Sequence, residues 1–309
     1  MTERARPYDN PFDLHDEPAY QRWRAGKLER LAGGDDFPIV AIADVNQLQE
    51  AEIAALLRQL QRCNMAIYDT GAEGFADKEF VRRLGRHFGL TRLDGNPYSD
   101  EDDISSITVK PRDQGALYIP YTDRPISWHT DGYYNAPEVQ VRSFILHCAR
   151  PAARGGENRL LDPELAYIHL RDENPDYISA LMAEDAMSIP ANEVNDFVSR
   201  PLQSGPVFSV QADGTLHMRF TARKRHVIWR EDAMLARARD CLSALLDSDS
   251  RFIYRHRLDA GQGLIANNVL HSRSAFEDGT GTEEARLLYR ARYHDRIKGT
   301  GMAEFTEAI

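Results

Sequence analysis

The spacing of hydrophobic positions changes about one third of the way along the chain. After Asp44, a capping residue, apolar side chains recur at helical spacing and share roughly one face: Leu48, Ile53, Leu56, Leu57 and Leu60. The segment 65–70, MAIYDT, has the composition of a strand. Residues 76–88 again show helical spacing, and Gly89 is a suitable C-terminal cap. The first third therefore predicts two amphipathic helices around one strand.

From about residue 104 the hydrophobic period moves towards two, which is typical of strands. Strand-like runs cover 104–109, 116–121, 139–148, 207–210, 215–220, 251–258, 263–271 and 286–294. A helical insertion is predicted at 163–186, followed by an irregular piece to about 206, and a further helix at about 232–246. Strands and helices do not alternate, and no glycine-rich nucleotide motif stands at a strand–helix junction. The pattern predicts an α+β fold around a β-sandwich or barrel.

Composition and length are those of an ordinary globular protein. The 309 residues are 42% hydrophobic and 28% charged. We expect a polar N-terminal lead-in at 1–37 and one domain over 38–309, with the insertion around 163–206. No apolar run approaches the ~18 residues of a membrane span, and the first residues do not have the apolar core of a secretory signal.

Charge and cysteine content exclude several classes of protein. The formal net charge is -10, from 38 basic and 48 acidic residues, which argues against a nucleic-acid-binding protein. Cys63, Cys148 and Cys241 include no CxxC pair. That argues against a disulfide framework and a thiolate zinc site, so we expect a cytoplasmic protein.

The sharpest local motif is His129-Thr130-Asp131. In an extended segment, residues i and i+2 point to the same side, so an imidazole and a carboxylate would enter one space. His271 ends an apolar strand-like run, and could supply a second imidazole. Two histidines and one carboxylate leave three positions free on a metal, as in non-haem Fe(II) oxygenases. Taken alone, the motif is weak evidence for a metal site, because an isolated instance is more often a surface turn in which the histidine and aspartate form local hydrogen bonds.

Arginines near the end of the chain form a second candidate site. Arg286 and Arg290 are four residues apart in ARLLYRARY, so in a strand they share a face and can hold a carboxylate. Arg292 lies on the same face, and the sequence does not decide which of the three is inside. Earlier in the chain, Gly155-Gly156-Glu157-Asn158 predicts a sharp turn beside a strand.

The order of these motifs resembles the taurine dioxygenase-like family of iron(II)/2-oxoglutarate dioxygenases over roughly residues 38–297. The resemblance implies a double-stranded β-helix (jelly-roll) core with flanking helices. It also implies that His129, Asp131 and His271 bind Fe(II), with the cosubstrate 2-oxoglutarate chelating the metal. Arg286 would bind the distal carboxylate of 2-oxoglutarate, and Arg290 would lie near the cosubstrate or the primary substrate.

Three positions depart from the pattern of that family or qualify it. Asn158 stands where the family usually has threonine, although an amide can donate the same hydrogen bond to 2-oxoglutarate. The segment between His271 and Arg286 is a few residues longer than in sulfonate-oxidising members of the family, which predicts an enlarged turn. Asn267-Asn268, just before the distal histidine, is interpreted as structural support.

The resemblance implies a dioxygenase that uses O₂ and 2-oxoglutarate, releases succinate and CO₂, and oxidises a C–H bond, with hydroxylation as the expected outcome. The arginines and aromatic residues favour a small anionic or zwitterionic substrate, and we expect substrate contacts from Tyr118, Tyr121, Tyr133, Asn135, Arg223 and Arg290. Two alternatives remain: a metal-binding jelly-roll protein that does not use 2-oxoglutarate, and a non-catalytic 2-oxoglutarate sensor. A homo-oligomer is also left open.

Overall fold

The computed structural model describes residues 10–32, 37–44, 46–71, 77–95, 100–110, 119–194, 197–223, 225, 227–279 and 285–302, with the side chains of 193–199 left aside. Its helices are α1 Glu17–Ala32, α2 Glu50–Cys63, α3 Lys78–His87, α4 Pro163–Glu173, α5 Pro175–Leu181 and α6 Ala233–Asp247. The first strands are β1 Ile39–Ala41, β2 Met65–Asp69, β3 Ser105–Ile107, β4 Ile126–His129, β5 Ser143–Arg150, β6 Arg154–Gly155 and β7 Asn158–Leu161. Short strands follow: β8 Met187–Ile189, β9 Asn192–Val194, β10 Phe197–Arg200, β11 Gln203–Gly205, β12 Phe208–Val210, β13 Leu216–Met218 and β14 Ile228–Trp229. The last are β15 Tyr254–His256, β16 Gln262–Ala266, β17 Leu270–Arg273, β18 Phe276–Glu277 and β19 Leu287–Tyr293.

Local capping determines where the first helices begin. The side chain of Gln49 and that of Glu52 form a capping box, so α2 begins at Glu50 rather than directly after Asp44. The Asp77 carboxylate accepts a hydrogen bond from the Phe80 amide at 2.9 Å and starts α3. Gly89, with φ of +74°, follows the end of α3, as its predicted capping role requires.

Two sheets provide the framework of the molecule. The larger has the strand order β1-β2-β16-β5-β19-β3, and the smaller has the order β15-β7-β17-β4. Apart from the parallel β1–β2 pair, neighbouring strands in both sheets are antiparallel. The architecture is therefore the α+β type that the sequence predicts, with mainly antiparallel sheets and flanking helices.

The two faces of the larger sheet have different neighbours. Ile145 and Ile265 pack on one face with α2 and α3, in a cluster that includes Leu60 and Leu84. The alternating residues on the other face line a cavity that side chains of the smaller sheet also line. The period-two pattern of these strands thus separates a helix-covered face from a face directed at the cavity.

The predicted strand 263–271 is in fact two strands in different sheets. β16 belongs to the larger sheet and β17 to the smaller one. Between them Asn268 adopts φ of +44°, a conformation that asparagine tolerates better than most residues. The turn carries the chain from one sheet to the other and delivers His271 to the cavity. Periodicity does not reveal this change because both strands are apolar.

The predicted lead-in contains the 16-residue helix α1. Phe12 and Tyr20 are buried against Tyr167 of α4, with ring centroids 5.3 and 6.3 Å from that ring. Lys27 of α1 is buried and pairs with Asp162 and Glu164 at 2.6 and 2.5 Å. This segment therefore packs against the insertion.

In the insertion and in one predicted strand, the hydrophobic pattern predicts the secondary structure less accurately than elsewhere. The region 163–206 begins with α4 and α5, in agreement with the predicted helical insertion. The piece predicted to be irregular up to about 206 instead contains the short paired strands β8 to β11. The predicted strand 116–121 is wrong in its described part, because Ile119–Tyr121 is a 3₁₀ turn. No helix in the described ranges is both long and apolar enough to cross a membrane.

Candidate metal centre and active site

The structure brings the three predicted metal ligands together. His129 is the last residue of β4, and His271 lies directly opposite it on β17. Asp131 follows β4 in a turn. One possible ligand atom from each of the three side chains lies within 4.8 Å of the others, and the two imidazole centroids are 4.1 Å apart. No other group of this kind occurs among the described residues.

Backbone carbonyls orient both imidazoles. Nδ1 of His129 is 2.9 Å from the Ser127 carbonyl oxygen, and Nδ1 of His271 is 2.9 Å from that of Val269. Because a carbonyl only accepts, each Nδ1 must carry the proton and donate. The lone pair of each neutral ring is then on Nε2, which is the tautomer that a metal ligand requires.

The two carboxylate oxygens of Asp131 have different surroundings. Oδ1 lies 3.4 Å from Nη1 of Arg290 and 4.0 Å from Nη1 of Arg292. Oδ2 is buried and has no hydrogen-bond partner. The backbone is fixed by Asn268, whose Oδ1 accepts from the Asp131 amide at 2.8 Å and whose Nδ2 donates to the Asp131 carbonyl at 3.0 Å. Asn268 therefore provides the structural support that its place in the sequence suggests.

The electrostatics keep the three side chains in metal-binding protonation states. Burial and the neighbouring His271 lower the pKa of His129 to about 3, and burial also lowers the pKa of His271. Burial alone would raise the pKa of Asp131, but the charges of Arg290 and Arg292 outweigh it and lower that pKa. Two neutral imidazoles, one carboxylate and an unpartnered buried oxygen fit an Fe(II) ion with open positions.

A cavity of about 550 Å³, including space open to solvent, extends from this centre between the two sheets. Arg286, Leu288 and Arg290 line it from one face of the C-terminal strand segment, as the four-residue spacing predicts. Arg286 is buried and makes no ion pair with any residue that the structure describes. Burial lowers its pKa to about 10, so the group remains cationic at neutral pH. A buried guanidinium in this state is suited to an anionic guest.

Arg292 is the third arginine on that face, and its guanidinium group already has binding partners within the protein. It is buried, forms an ion pair with Asp94 and donates from Nη1 to the Tyr134 hydroxyl at 2.9 Å. All three arginines are thus on the inner side, and they differ in their partners. Arg286 and Arg290 line the cavity. Arg292 instead lies beside the Asp131 carboxylate, with its Nη1 4.0 Å from Oδ1.

Asn158 lies in β7 beside the arginine end of the cavity. Its Nδ2 donates to the His256 carbonyl at 3.4 Å, and across the sheet it faces Arg273 of β17. The preceding Gly155 has φ of +72°, and a Cβ there would lie 2.3 Å from the Ala275 carbonyl oxygen. Only glycine fits this turn, which is why the double glycine precedes Asn158.

The predicted substrate residues separate into different environments. The Tyr133 ring lies 6.4 Å from that of His129, and the Tyr133 side chain interacts with that of Arg223. Tyr121 is instead a buried core residue, because it packs among the apolar side chains between the sheets. Asn135 holds a turn through hydrogen bonds of 2.9 Å to Asp94 and to the Val139 carbonyl. Tyr118 lies outside the described residues.

Sequence reasoning did not assign Arg273 or Arg219 to the site. Arg273 lines the cavity and donates to the Thr122 carbonyl at 2.7 Å, holding the segment before β4. Arg219 donates to the Tyr133 carbonyl at 2.7 Å. The position of Arg273 two residues after His271 could have indicated its place in the site, because residues i and i+2 of a strand point to the same side. Nothing in the local sequence distinguishes Arg219 from a surface arginine.

Comparison with known proteins identifies the family. Residues 28–292 match the Taurine catabolism dioxygenase TauD, TfdA family. The chain belongs to this family. It is 32% identical over 267 residues to a uridine-5'-phosphate dioxygenase from Amycolatopsis sp, covering 83% of this chain and 84% of that protein. A uridine-5'-phosphate dioxygenase from Streptomyces sp is 26% identical over 268 residues, covering 78% and 89%.

The fold likeness agrees with this membership. A crystal structure of asparagine oxygenase in complex with Fe(II), 2S,3S-3-hydroxyasparagine and succinate superposes with a TM-score of 0.57 at 15% identity, covering 79% of this chain and 78% of that one. The protein is thus a non-haem Fe(II)/2-oxoglutarate-dependent dioxygenase that acts on a small molecule. This outcome confirms the predicted enzyme class and cofactors over the two alternatives.

Proposed function

We propose that His129, Asp131 and His271 bind the Fe(II) of this dioxygenase. The observation that carries the proposal is the geometry of the three ligand atoms, which lie within 4.8 Å of one another. Both Nε2 lone pairs are available because the Nδ1 atoms donate to carbonyls. The Oδ2 atom of Asp131 is the natural third ligand, since Arg290 and Arg292 lie beside Oδ1.

The cosubstrate is proposed to occupy the cavity between the metal ligands and Arg286. Arg286 binds the distal carboxylate, supported by the position of Asn158 beside it. When bound, Fe(II) and 2-oxoglutarate supply the oxidation of a substrate C–H bond by O₂, with release of succinate and CO₂. Apolar side chains exclude water along the cavity: Phe144, Leu146, Leu160, Leu264 and Leu288.

The cavity between two sheets also supports a finer description of the fold. We propose that the larger and smaller sheets are the two faces of a double-stranded β-helix. Side chains of both sheets line the cavity, with the metal ligands following or lying in strands of the smaller sheet and Arg290 coming from the larger one. The proposed domain extends over residues 38–309, with the insertion around 163–206 packed against the lead-in helix.

The substrate is proposed to be a small anion, and uridine-5'-phosphate is the first candidate. The basis is the similarity to two uridine-5'-phosphate dioxygenases, together with Arg290. The Arg290 side chain lines the cavity, lies beside Asp131 and is 14% exposed. A cation in that position adds to the positive potential that attracts an anionic substrate towards the metal centre. A cytoplasmic location remains our proposal, and the free thiols of Cys63, Cys148 and Cys241 are compatible with it.

Succinate formation in the presence of candidate substrates tests this function. The protein is incubated with Fe(II), 2-oxoglutarate and O₂, and uridine-5'-phosphate, uridine, a sulfonate or an amino acid is added. We expect uridine-5'-phosphate to stimulate succinate formation and to be consumed in equal amount. If only a neutral or macromolecular compound stimulated succinate formation, the proposal that the substrate is a small anion would be wrong. If another anion stimulated succinate formation and uridine-5'-phosphate did not, uridine-5'-phosphate would be excluded as the substrate and the proposal of an anionic substrate would stand.

A further inference from the structure

An extended segment runs beside the metal centre on the side of His129. Thr221 pairs with His129 in an antiparallel bridge. The adjacent backbone continues the pairing, since the Thr130 amide donates to the Phe220 carbonyl at 3.0 Å and the Ala222 amide to the Trp128 carbonyl at 2.8 Å. In an extended chain, Arg219, Thr221 and Arg223 share one side. This segment therefore presents a hydroxyl and two guanidinium groups to the same region.

Tyr133 contacts this side of the segment through both its side chain and its backbone carbonyl group. Its side chain interacts with those of Thr221 and Arg223. Its carbonyl oxygen accepts a hydrogen bond from Nε of Arg219 at 2.7 Å. Because the Tyr133 ring lies 6.4 Å from the His129 ring, the cluster of Tyr133, Thr221 and Arg223 is adjacent to a metal ligand.

No carboxylate among the residues that the structure describes forms an ion pair with Arg219 or Arg223. Arg223 is half-buried and makes no ion pair with a residue in the described ranges. Arg219 is buried, and its guanidinium donates to backbone carbonyls, including those of Met187 and Gln203 at 2.8 Å. These carbonyls satisfy the N–H groups without cancelling the positive charge. An anion placed here would gain a favourable electrostatic interaction.

The cluster also lies outside the cavity assigned to the cosubstrate. Arg286, Asn158 and Arg290 line that cavity, whereas Tyr133, Thr221 and Arg223 are absent from its described lining. The cluster and the cavity lining are therefore separate sets of residues, and both adjoin His129. Because a primary substrate must bind beside the cosubstrate, the cluster is a candidate for contacting it.

We propose that Arg223, held in place by Tyr133 and Thr221, binds the phosphate group of the primary substrate. A guanidinium presents two parallel N–H donors that match two phosphate oxygens, and the Tyr133 hydroxyl can donate to a third. The substrate class is then a phosphate monoester, of which uridine-5'-phosphate is one. This inference rests on the proposed function and assigns the phosphate subsite within it.

Binding to matched arginine variants tests the inference. The Fe(II)- and 2-oxoglutarate-loaded protein is titrated without O₂ with uridine-5'-phosphate, uridine, ribose 5-phosphate and inorganic phosphate, by calorimetry. We expect the wild type to bind uridine-5'-phosphate more tightly than uridine. Arg223→Gln should weaken binding of uridine-5'-phosphate about 10- to 100-fold, because a hydrogen-bonded charge is lost, and leave uridine unaffected. Tyr133→Phe should produce a smaller loss with the same selectivity.

Arg225→Gln is the matched control, since Arg225 is two residues away and exposed. It should change binding less than twofold. Equal binding of uridine-5'-phosphate to wild type and Arg223→Gln would overturn the inference. So would a wild type that binds 2-oxoglutarate but none of the three phosphate compounds. Failure to bind 2-oxoglutarate would instead contradict the proposed function, so the two failures are distinguishable.

Discussion

Asp131 shows how neighbouring residues prepare a single carboxylate for one partner. Its backbone is held by Asn268, and two arginines lie beside Oδ1. Oδ2 remains buried and without a hydrogen bond. A buried carboxylate oxygen in this state is costly unless a cation binds it. The side chain is thus arranged for coordination through one defined oxygen atom.

At Arg286, replacement with methionine tests the assignment of the distal carboxylate. Methionine keeps apolar contact with Phe276, whose ring centroid is 4.9 Å from the guanidinium carbon, and removes the charge. We expect the Kd for 2-oxoglutarate to rise about 30-fold or more, because loss of one partner of a buried charge pair costs roughly 2–5 kcal/mol. The measurement is anaerobic titration with 2-oxoglutarate.

Arg154→Met is the control for that experiment, since its side chain is 80% exposed and pairs with Glu277 on the surface. It should leave the Kd unchanged. If Arg286→Met left the Kd unchanged while Arg290→Met or Arg292→Met abolished 2-oxoglutarate binding, the assignment of roles along the segment 286–292 would be wrong.

At the scale of elements, two turns bring the site together. The glycine turn at Gly155 precedes Asn158, and the Asn268 turn transfers the chain between sheets before His271. The sequence contained both signals, but only the first could be interpreted as a turn. Asn268 lies inside a continuous apolar run, so its positive φ could not be inferred from periodicity.

The buried lysine of α1 provides an element-scale prediction. Lys27→Met should lower the free energy of unfolding by roughly 3–5 kcal/mol, because Asp162 and Glu164 lose their buried countercharge. Lys78→Met is the control, since Lys78 pairs with Asp100 and Asp102 near the surface and should cost about 1 kcal/mol or less. Urea unfolding of both variants measures the difference. Equal losses of unfolding free energy in the two variants would contradict the claim that the buried ion pairs of Lys27 stabilise the packing of α1.

At the scale of the whole molecule, the sequence predicted the α+β class, most strands and the candidate ligands. The His129–Asp131 spacing and the four-residue arginine spacing correspond to real faces of the structure because side-chain direction follows backbone period. Two things depended on long-range packing instead. Tyr121 became a core residue, and Arg219 came to support Tyr133, through contacts between segments distant in sequence. Local pattern carries no information on such contacts.

Buried histidines outside the metal centre predict the pH dependence of stability. Burial and nearby arginines lower the pKa of His217 to about 3, and burial lowers the pKa of His147 to about 4. Below about pH 6.5 the unfolded chain binds these protons while the folded chain does not, so stability falls as pH decreases towards 4. Each group contributes up to about 1.4 kcal/mol per pH unit.

Urea unfolding between pH 7 and 4.5 checks this dependence. His217→Leu should flatten the decline relative to wild type, since one of the two groups no longer takes up a proton on unfolding. His169→Leu, at an exposed position, is the control and should preserve the wild-type slope. An unchanged slope in a folded His217→Leu variant would contradict the assignment.

The most direct test of the central claim is an anaerobic titration of the metal-free protein with Fe(II) and then 2-oxoglutarate. If His129, Asp131 and His271 form the metal centre, a visible charge-transfer band should develop at one equivalent of each. The band should be lost in His271→Ala and retained in His169→Ala, with both variants folded. A band that persists in His271→Ala, or a wild type that binds Fe(II) and 2-oxoglutarate without any band, would contradict this assignment of the metal centre.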